Sequence, residues 1–318
     1  IRSRWQNIKM SEQAEIQLWS KISKQTLLGA DASANALRVG LVKNTTPVPD
    51  ALEREVQNMW DAKAVNNPNM SDGRTLFLRD IRETDYGTDV MAHVGNFRFI
   101  NAFNRTVENH NRTDELKSYN LLHISTHVHA VTIDGYLLFG TKKNQFNQIS
   151  GFAGFIQESD GVQEIGEQRF QDMNKTIRNR LQPEIKDVLN YIVSVTPTGI
   201  TYVGTPGLRG TDMDFLAIVN MNAENAKALF QNAYRSEGSG DQFTRMMYAV
   251  PFTENGMTDF VERIHGEGKT MSRYALGAMV LEAGMFHGDK AAGKLMDTIN
   301  KHAKTSIVPE NQTDYLQK

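Results

Sequence analysis

The sequence predicts an α/β (α+β) protein organised as a mixed-sheet sandwich with an N-terminal α+β extension and a C-terminal helical extension. Composition is the first reason. The chain has 318 residues, 40% of them hydrophobic and 23% charged, a balance that buries one large core or two ordinary ones. The second is a β-rich middle in which LLHISTHVHAVTI, YLLFGTK, NYIVSV, GITYVG and FLAIVNM are separated by turn residues such as Asp134-Gly135. The third is a single long, polar, helix-compatible stretch between these strands, from about Gln163 to Leu189. Strands around one helix imply a mixed α/β arrangement. The expected divisions are residues 1–118, 119–220 and 221–318.

In the first region, Ile16, Leu18, Trp19, Ile22, Leu27 and Leu28 fall on a roughly helical stripe and predict a helix over 11–28. A second helix is expected from Asp50 to about Ala64, with Leu52, Val56, Met59 and Trp60 on one face. Pro47 and Pro49 precede it and Asp50 serves as its N-cap. LFLRDI and FRFINAF read as short extended stretches. The last region predicts helices over Ala223–Tyr234, Thr258–His265 and Met271 to about Ala303, the last broken near His287-Gly288.

Several function classes lose support at once. A net charge of -2 gives no electrostatic footprint for nucleic acid. The absence of cysteine removes thiol nucleophiles, disulfides and thiolate zinc sites. No apolar run approaches the roughly 18 residues of a membrane span. The start, IRSRWQNIKM, has no apolar signal core, so a cytoplasmic location is expected.

The order of features in the middle region carries a resemblance. A strand and tight turn (HVHAVTIDG) lead into YLLFGTKK, then a loop with GFAGFIQ, a helix-compatible stretch, and a strand ending in glycine, ITYVG. This resembles the Nudix family, in which a hairpin precedes a Gly-Gly-Phe-type loop and a helix bearing an Arg-Glu-hydrophobic-x-Glu-Glu-x-Gly run. Ala153-Gly154-Phe155-Ile156 matches the loop, and the stretch from Pro183 to Tyr191 (PEIKDVLNY) is the best match to the helix run. An insertion from about Glu158 to Gln182 separates the two.

The resemblance implies a diphosphate hydrolase that uses magnesium. That ion takes hard oxygen ligands in near-octahedral geometry, and carboxylates three or four apart share one helix face. Glu184 and Asp187, at i and i+3, would hold Mg2+ and act in catalysis. Gly154 would let the backbone approach the phosphates, and Arg209 and Lys142 are candidate phosphate contacts. The sequence departs from the pattern at two points. Pro183 stands where the loop-bracing arginine should be, and Val188 stands where a main metal ligand should be. Replacement acids could come from Glu158, Asp160, Glu164, Glu167, Asp212 or Asp214.

Other patterns compete. His123, His127 and His129 share one face of an extended strand, where a His-x-His pair can bind zinc; the simpler reading is a polar, aromatic stripe on a half-buried sheet. The run His265–Thr270 ends in Gly-Lys-Thr, but Arg263 stands where a phosphate loop needs glycine, so it reads as a helix stop and restart. Gly204–Gly210 reads as a connecting loop. Met271, Met279 and Met285 with Leu276, Val280 and Leu281 form a core or oligomer stripe, and the Ala/Gly content of ALGAMVLEAGM suggests a homodimer. Two readings stand: a Nudix-fold protein that recognises a nucleotide or nucleoside-diphosphate compound, or a protein partner, with a degenerate metal site, and an active, divergent Mg-dependent phosphohydrolase.

Overall fold

The computed structural model describes residues 5–11, 14–19, 37–42, 48–66, 72–84, 87–100, 122–142, 148–165, 168–181, 191–205, 208–237 and 243–303. In chain order the elements are β1 (Trp5–Ser11), β2 (Ala14–Trp19), β3 (Leu37–Leu41), α1 (Asp50–Asn66), β4 (Arg74–Thr84), β5 (Gly87–Asn96) and β6 (Leu122–Thr132). There follow β7 (Tyr136–Lys142), β8 (Gln148–Ser150), β9 (Phe152–Phe155), a 3-10 turn (Glu158–Asp160), β10 (Val162–Ile165), β11 (Gln168–Gln171) and α2 (Met173–Leu181). The rest are β12 (Ile192–Thr205), β13 (Leu208–Val219), α3 (Ala223–Glu237), β14 (Phe243–Pro251), α4 (Glu254–Gly266), β15 (Thr270–Met271), α5 (Arg273–His287) and α6 (Asp289–Ala303).

All the strands belong to one large mixed sheet, so the fold is α/β as expected. Its centre is β6. Along one edge β6 pairs in parallel with β13, from Gly210↔His123 to Val219↔Thr132. Along the other edge it meets β4, then β9, then β7 in succession, all antiparallel. A strand shared by so many partners is buried on both faces, and β6 is largely apolar on one side and lined by His123, Ser125, His127 and His129 on the other. Ile124, Val128 and Ala130 point into a core with Met173 and Ile177 of α2, Ala226 and Phe230 of α3, and Met213, Phe215 and Ala217 of β13. The opposite face of the sheet is covered by α4, α5 and α6, through Phe260, Val261, Leu276, Met279, Leu295 and Ile299. A third cluster packs α1 on β4 through Leu52, Val56 and Phe77.

Several expectations hold. The helix expected from Asp50 runs Asp50–Asn66. The Asp134-Gly135 turn is present, with Gly135 at φ +80°, a left-handed conformation that glycine adopts without steric cost. The last two helices break at Gly288, and the Gly-Lys-Thr run is the connection from α4 into the short β15.

Others need correction. The expected helix over 11–28 is instead the β1–β2 hairpin as far as residue 19, and the remainder lies outside the described residues. Ile16 and Leu18 also satisfy an alternating pattern, and β12 pairs with them at Val203 and Thr201; a waiting edge strand decides what a short apolar run leaves ambiguous. The expected helix over 163–189 begins as the β10–β11 hairpin and becomes helical only at Met173. Gly161, at φ +125°, precedes the hairpin in a conformation that a helix does not contain. Residues 97–100 of FRFINAF are helical, not extended. NYIVSV and GITYVG join in the single strand β12, with a register shift at Pro197/Gly199 that accommodates the proline. Finally, β14 lies within the region read as helical and extends the sheet from β7.

Candidate functional site

The hairpin, loop and helix of the middle region are close in space. Gly154 sits on β9 with Thr126 of β6 as its cross-strand partner, and α2 packs beside both strands. Arg209 is paired with Gly204 near the start of β13, one residue before the Gly210↔His123 pair, so Arg209 and Gly154 approach the same half of β6. Lys142 closes β7 opposite Phe243. Glu184 and Asp187, with Pro183 and Val188, lie outside the described residues.

The first helix after the loop is therefore α2, and its sequence MNKTIRNRL contains no carboxylate. Lys175, Arg178 and Asn179 occupy its more exposed positions, while Thr176 and Ile177 are buried. Asp172 precedes the helix and accepts the Lys175 backbone N–H at 3.0 Å, an N-cap contact that uses one of its oxygens. Two of the candidate replacement acids on this side are engaged, and Glu167 lies outside the described residues. Glu158 is ion-paired with Arg74 at 3.0 Å and with Arg169 at 3.7 Å. Asp160 is buried and accepts the Gln157 backbone N–H at 3.1 Å and Asn179 Nδ2 at 3.0 Å. Among the described residues, no group of three His, Asp or Glu converges in a way that would hold a metal ion. The described donors thus do not fit magnesium.

The polar side chains that do converge lie on the other face of β6. Alternation places His123, Ser125, His127 and His129 on that face, and parallel pairing sets Asp212 beside Ser125 and Asp214 beside His127. Ser125 Oγ donates to Asp212 Oδ1. Thr201 Oγ1, from β12, donates to Asp214 Oδ2 at 2.6 Å, and His127 Nδ1 lies 3.8 Å from Asp214 Oδ1. The His127 and His129 rings meet edge to face at 4.6 Å between centroids, and His129 packs in the same way on Phe139 at 4.8 Å. From α5, Glu282 reaches down so that its two carboxyl oxygens stand 2.9 and 2.8 Å from His129 Nδ1. His127, His129, Asp214 and Glu282 are all 0% exposed.

Two glycines make this approach possible. A Cβ on Gly151 would collide with the rings of His127 and His129, and a Cβ on Gly277 of α5 would come within 2.6 Å of Thr201 Oγ1. Burial sets the ionisation. Desolvation lowers His129 to about 3 and His123 to about 4, so both rings are neutral at neutral pH. Burial raises the Glu282 carboxyl well above its ordinary range. Asp214 is raised likewise, by burial first and then by the neighbouring carboxylates Asp212 and Glu282. A neutral imidazole facing a protonated carboxyl shares one proton without burying net charge.

The histidine stripe is a polar face buried in the core, deeper than the half-buried sheet of the simpler reading. The methionine and small-residue stripe of α5 also packs inside the chain, with Leu276, Met279, Val280 and Ala283 buried. The sequence pattern alone does not pair Glu282 with His129 or Asp214 with His127. A signal existed: Glu282 is the lone charge in ALGAMVLEAGM, and a single carboxyl on an apolar helix needs a polar partner in the core. No family model and no curated protein matches the chain.

Proposed function

We propose that the chain is a Nudix-fold protein that recognises a nucleotide or nucleoside-diphosphate compound and has lost the metal-dependent hydrolysis of that family. The observation that carries this reading is the helix following the loop. It packs against β6 and β9, the strand of Gly154, and carries Lys175 and Arg178 at its more exposed positions, while residues 183–190 of the run that the resemblance matches to the acidic helix lie outside the described residues. Cations on that helix can neutralise phosphate directly, a role that magnesium would otherwise fill. Gly154 supplies backbone without a side chain beside it, and Arg209 approaches the same half of β6.

The test is calorimetric titration with ADP, ADP-ribose and UDP-glucose, with and without magnesium, alongside assays for hydrolysis of the last two. The expected result is binding that needs no magnesium and no turnover. Failure of every compound to bind overturns the proposal. The second reading, an active magnesium-dependent hydrolase, rests on Glu184 and Asp187, which stand at the i, i+3 spacing a shared ligand face needs. Magnesium-dependent turnover that Glu184→Gln abolishes would establish it and displace the first.

A further inference from the structure

We propose that the interface between helix α5 and the sheet is a proton-operated latch, closed while the buried carboxyls of Glu282 and Asp214 carry protons and opened when base removes them. Three carboxyl groups, Asp212, Asp214 and Glu282, meet two imidazoles, His127 and His129, in one buried layer. The contact of Glu282 with His129 Nδ1 ties α5 to β6, and Thr201 ties Asp214 to β12 directly beneath Gly277.

The groups facing this layer can be named element by element. From β6 they are His127 and His129, and from β13 Asp212 and Asp214. From β12 the group is the Thr201 hydroxyl, and from α5 it is Glu282. The faces of α4 and α6 that join the same core are apolar, through Phe260, Val261 and Ile264 and through Ala291, Leu295 and Ile299. The charges acting on Asp214 are those of two other carboxyls, Asp212 and Glu282. Ionising Glu282 or Asp214 therefore adds negative charge to a layer already bearing carboxyls, which burial in apolar surroundings penalises.

The sign follows from the direction of the shifts. Glu282 and Asp214 are raised in the folded chain, so their protons stabilise the closed interface and that stability is lost as pH rises through the raised values. Glu282 is the one carboxyl of α5, and the residues around it, from Ala275 to Ala283, are all buried.

Two measurements on the intact chain test this. Infrared spectroscopy at about neutral pH should show the C=O stretch of a protonated carboxyl shielded from exchange; its absence overturns the latch whatever any variant does. Amide hydrogen exchange of α5 should rise as pH is raised above neutrality beyond the intrinsic base-catalysed rate, by roughly tenfold relative to α3 on the opposite face. In Glu282→Gln, where an amide N–H replaces the carboxyl O–H, that excess should shrink. If α5 tracks α3 across the range, the proposal fails.

Discussion

Replacing Glu282 with alanine should destabilise the chain by about 3 kcal/mol, and replacing it with glutamine by about 1 kcal/mol or less. The first figure has two parts. His129 Nδ1 is fully buried and has the Glu282 carboxyl as its partner at 2.8 Å; leaving a buried polar atom unsatisfied costs about 1–3 kcal/mol. Truncation also opens a cavity between α5 and β6, which adds about 1 kcal/mol or more in a site hemmed by β6 and by Met279 of the same helix. Glutamine fills nearly the same volume and can donate an amide N–H to the ring, so the first part is largely retained. The assay is urea unfolding at neutral pH followed by circular dichroism. With a slope of about 3 kcal/mol per molar urea, the alanine variant should unfold about 1 M earlier. Equal losses for alanine and glutamine would remove the hydrogen bond from the explanation. A loss below about 0.5 kcal/mol for alanine would mean that Glu282 does not meet His129 in the core.

Gly151→Ala forces a Cβ against the rings of His127 and His129 and should cost about 1–3 kcal/mol through overpacking, measured by the same urea titration. Phe139→Ala removes a ring that contacts His129 at 4.8 Å and stacks on Phe260 at 5.5 Å; a thermal melt should register a loss of about 3–5 kcal/mol. On the acid side, His129 at about 3 and His123 at about 4 lie below the ordinary 6.5, so the unfolded chain binds more protons there. The histidines' share of stability should fall as pH drops below about 6.5 while that of the raised Glu282 and Asp214 carboxyls grows, and the stability of His129→Asn relative to the unaltered chain should rise towards acid. Arg178→Glu reverses a charge on the helix beside Gly154 and should weaken nucleotide binding several-fold in low salt, read by titration calorimetry; unchanged affinity would remove α2 from the binding surface.

What could be read from the sequence depended on how local the signal was. The Asp134-Gly135 turn needs a left-handed residue and announces it. The Asp50 helix has an apolar face of ordinary period, and the break at Gly288 is a breaker between two periodic runs. The apolar residues of 14–19, 162–165 and 168–171 suit more than one period, and strand pairing, with β12 for the first and β3 for the last, selects the extended form. The polar cluster was half visible. Three histidines two or four apart define a strand face, but parallel pairing with β13, 87 residues later in the chain, decides that Asp212 and Asp214 stand beside them. Nothing local to HISTHVH specifies that register.

Strand β6 separates two sets of consequences that would otherwise be confused. Thr126, Val128 and Ala130 belong to the side bearing Gly154, α2 and α3, and the resemblance to a diphosphate-recognising family concerns that side alone. Ser125, His127 and His129 belong to the other, with Glu282 and α5. Because adjacent residues of one strand point to opposite faces, a change in the proton count under α5 leaves Gly154 and α2 in place unless β6 itself moves. Nucleotide affinity should therefore be the same for Glu282→Gln and the unaltered chain at neutral pH. If Glu282→Gln retains its fold and yet shifts that affinity by more than about threefold, β6 transmits between its faces, and the coupling free energy of about 0.7 kcal/mol or more would make the buried proton an effector of the binding side.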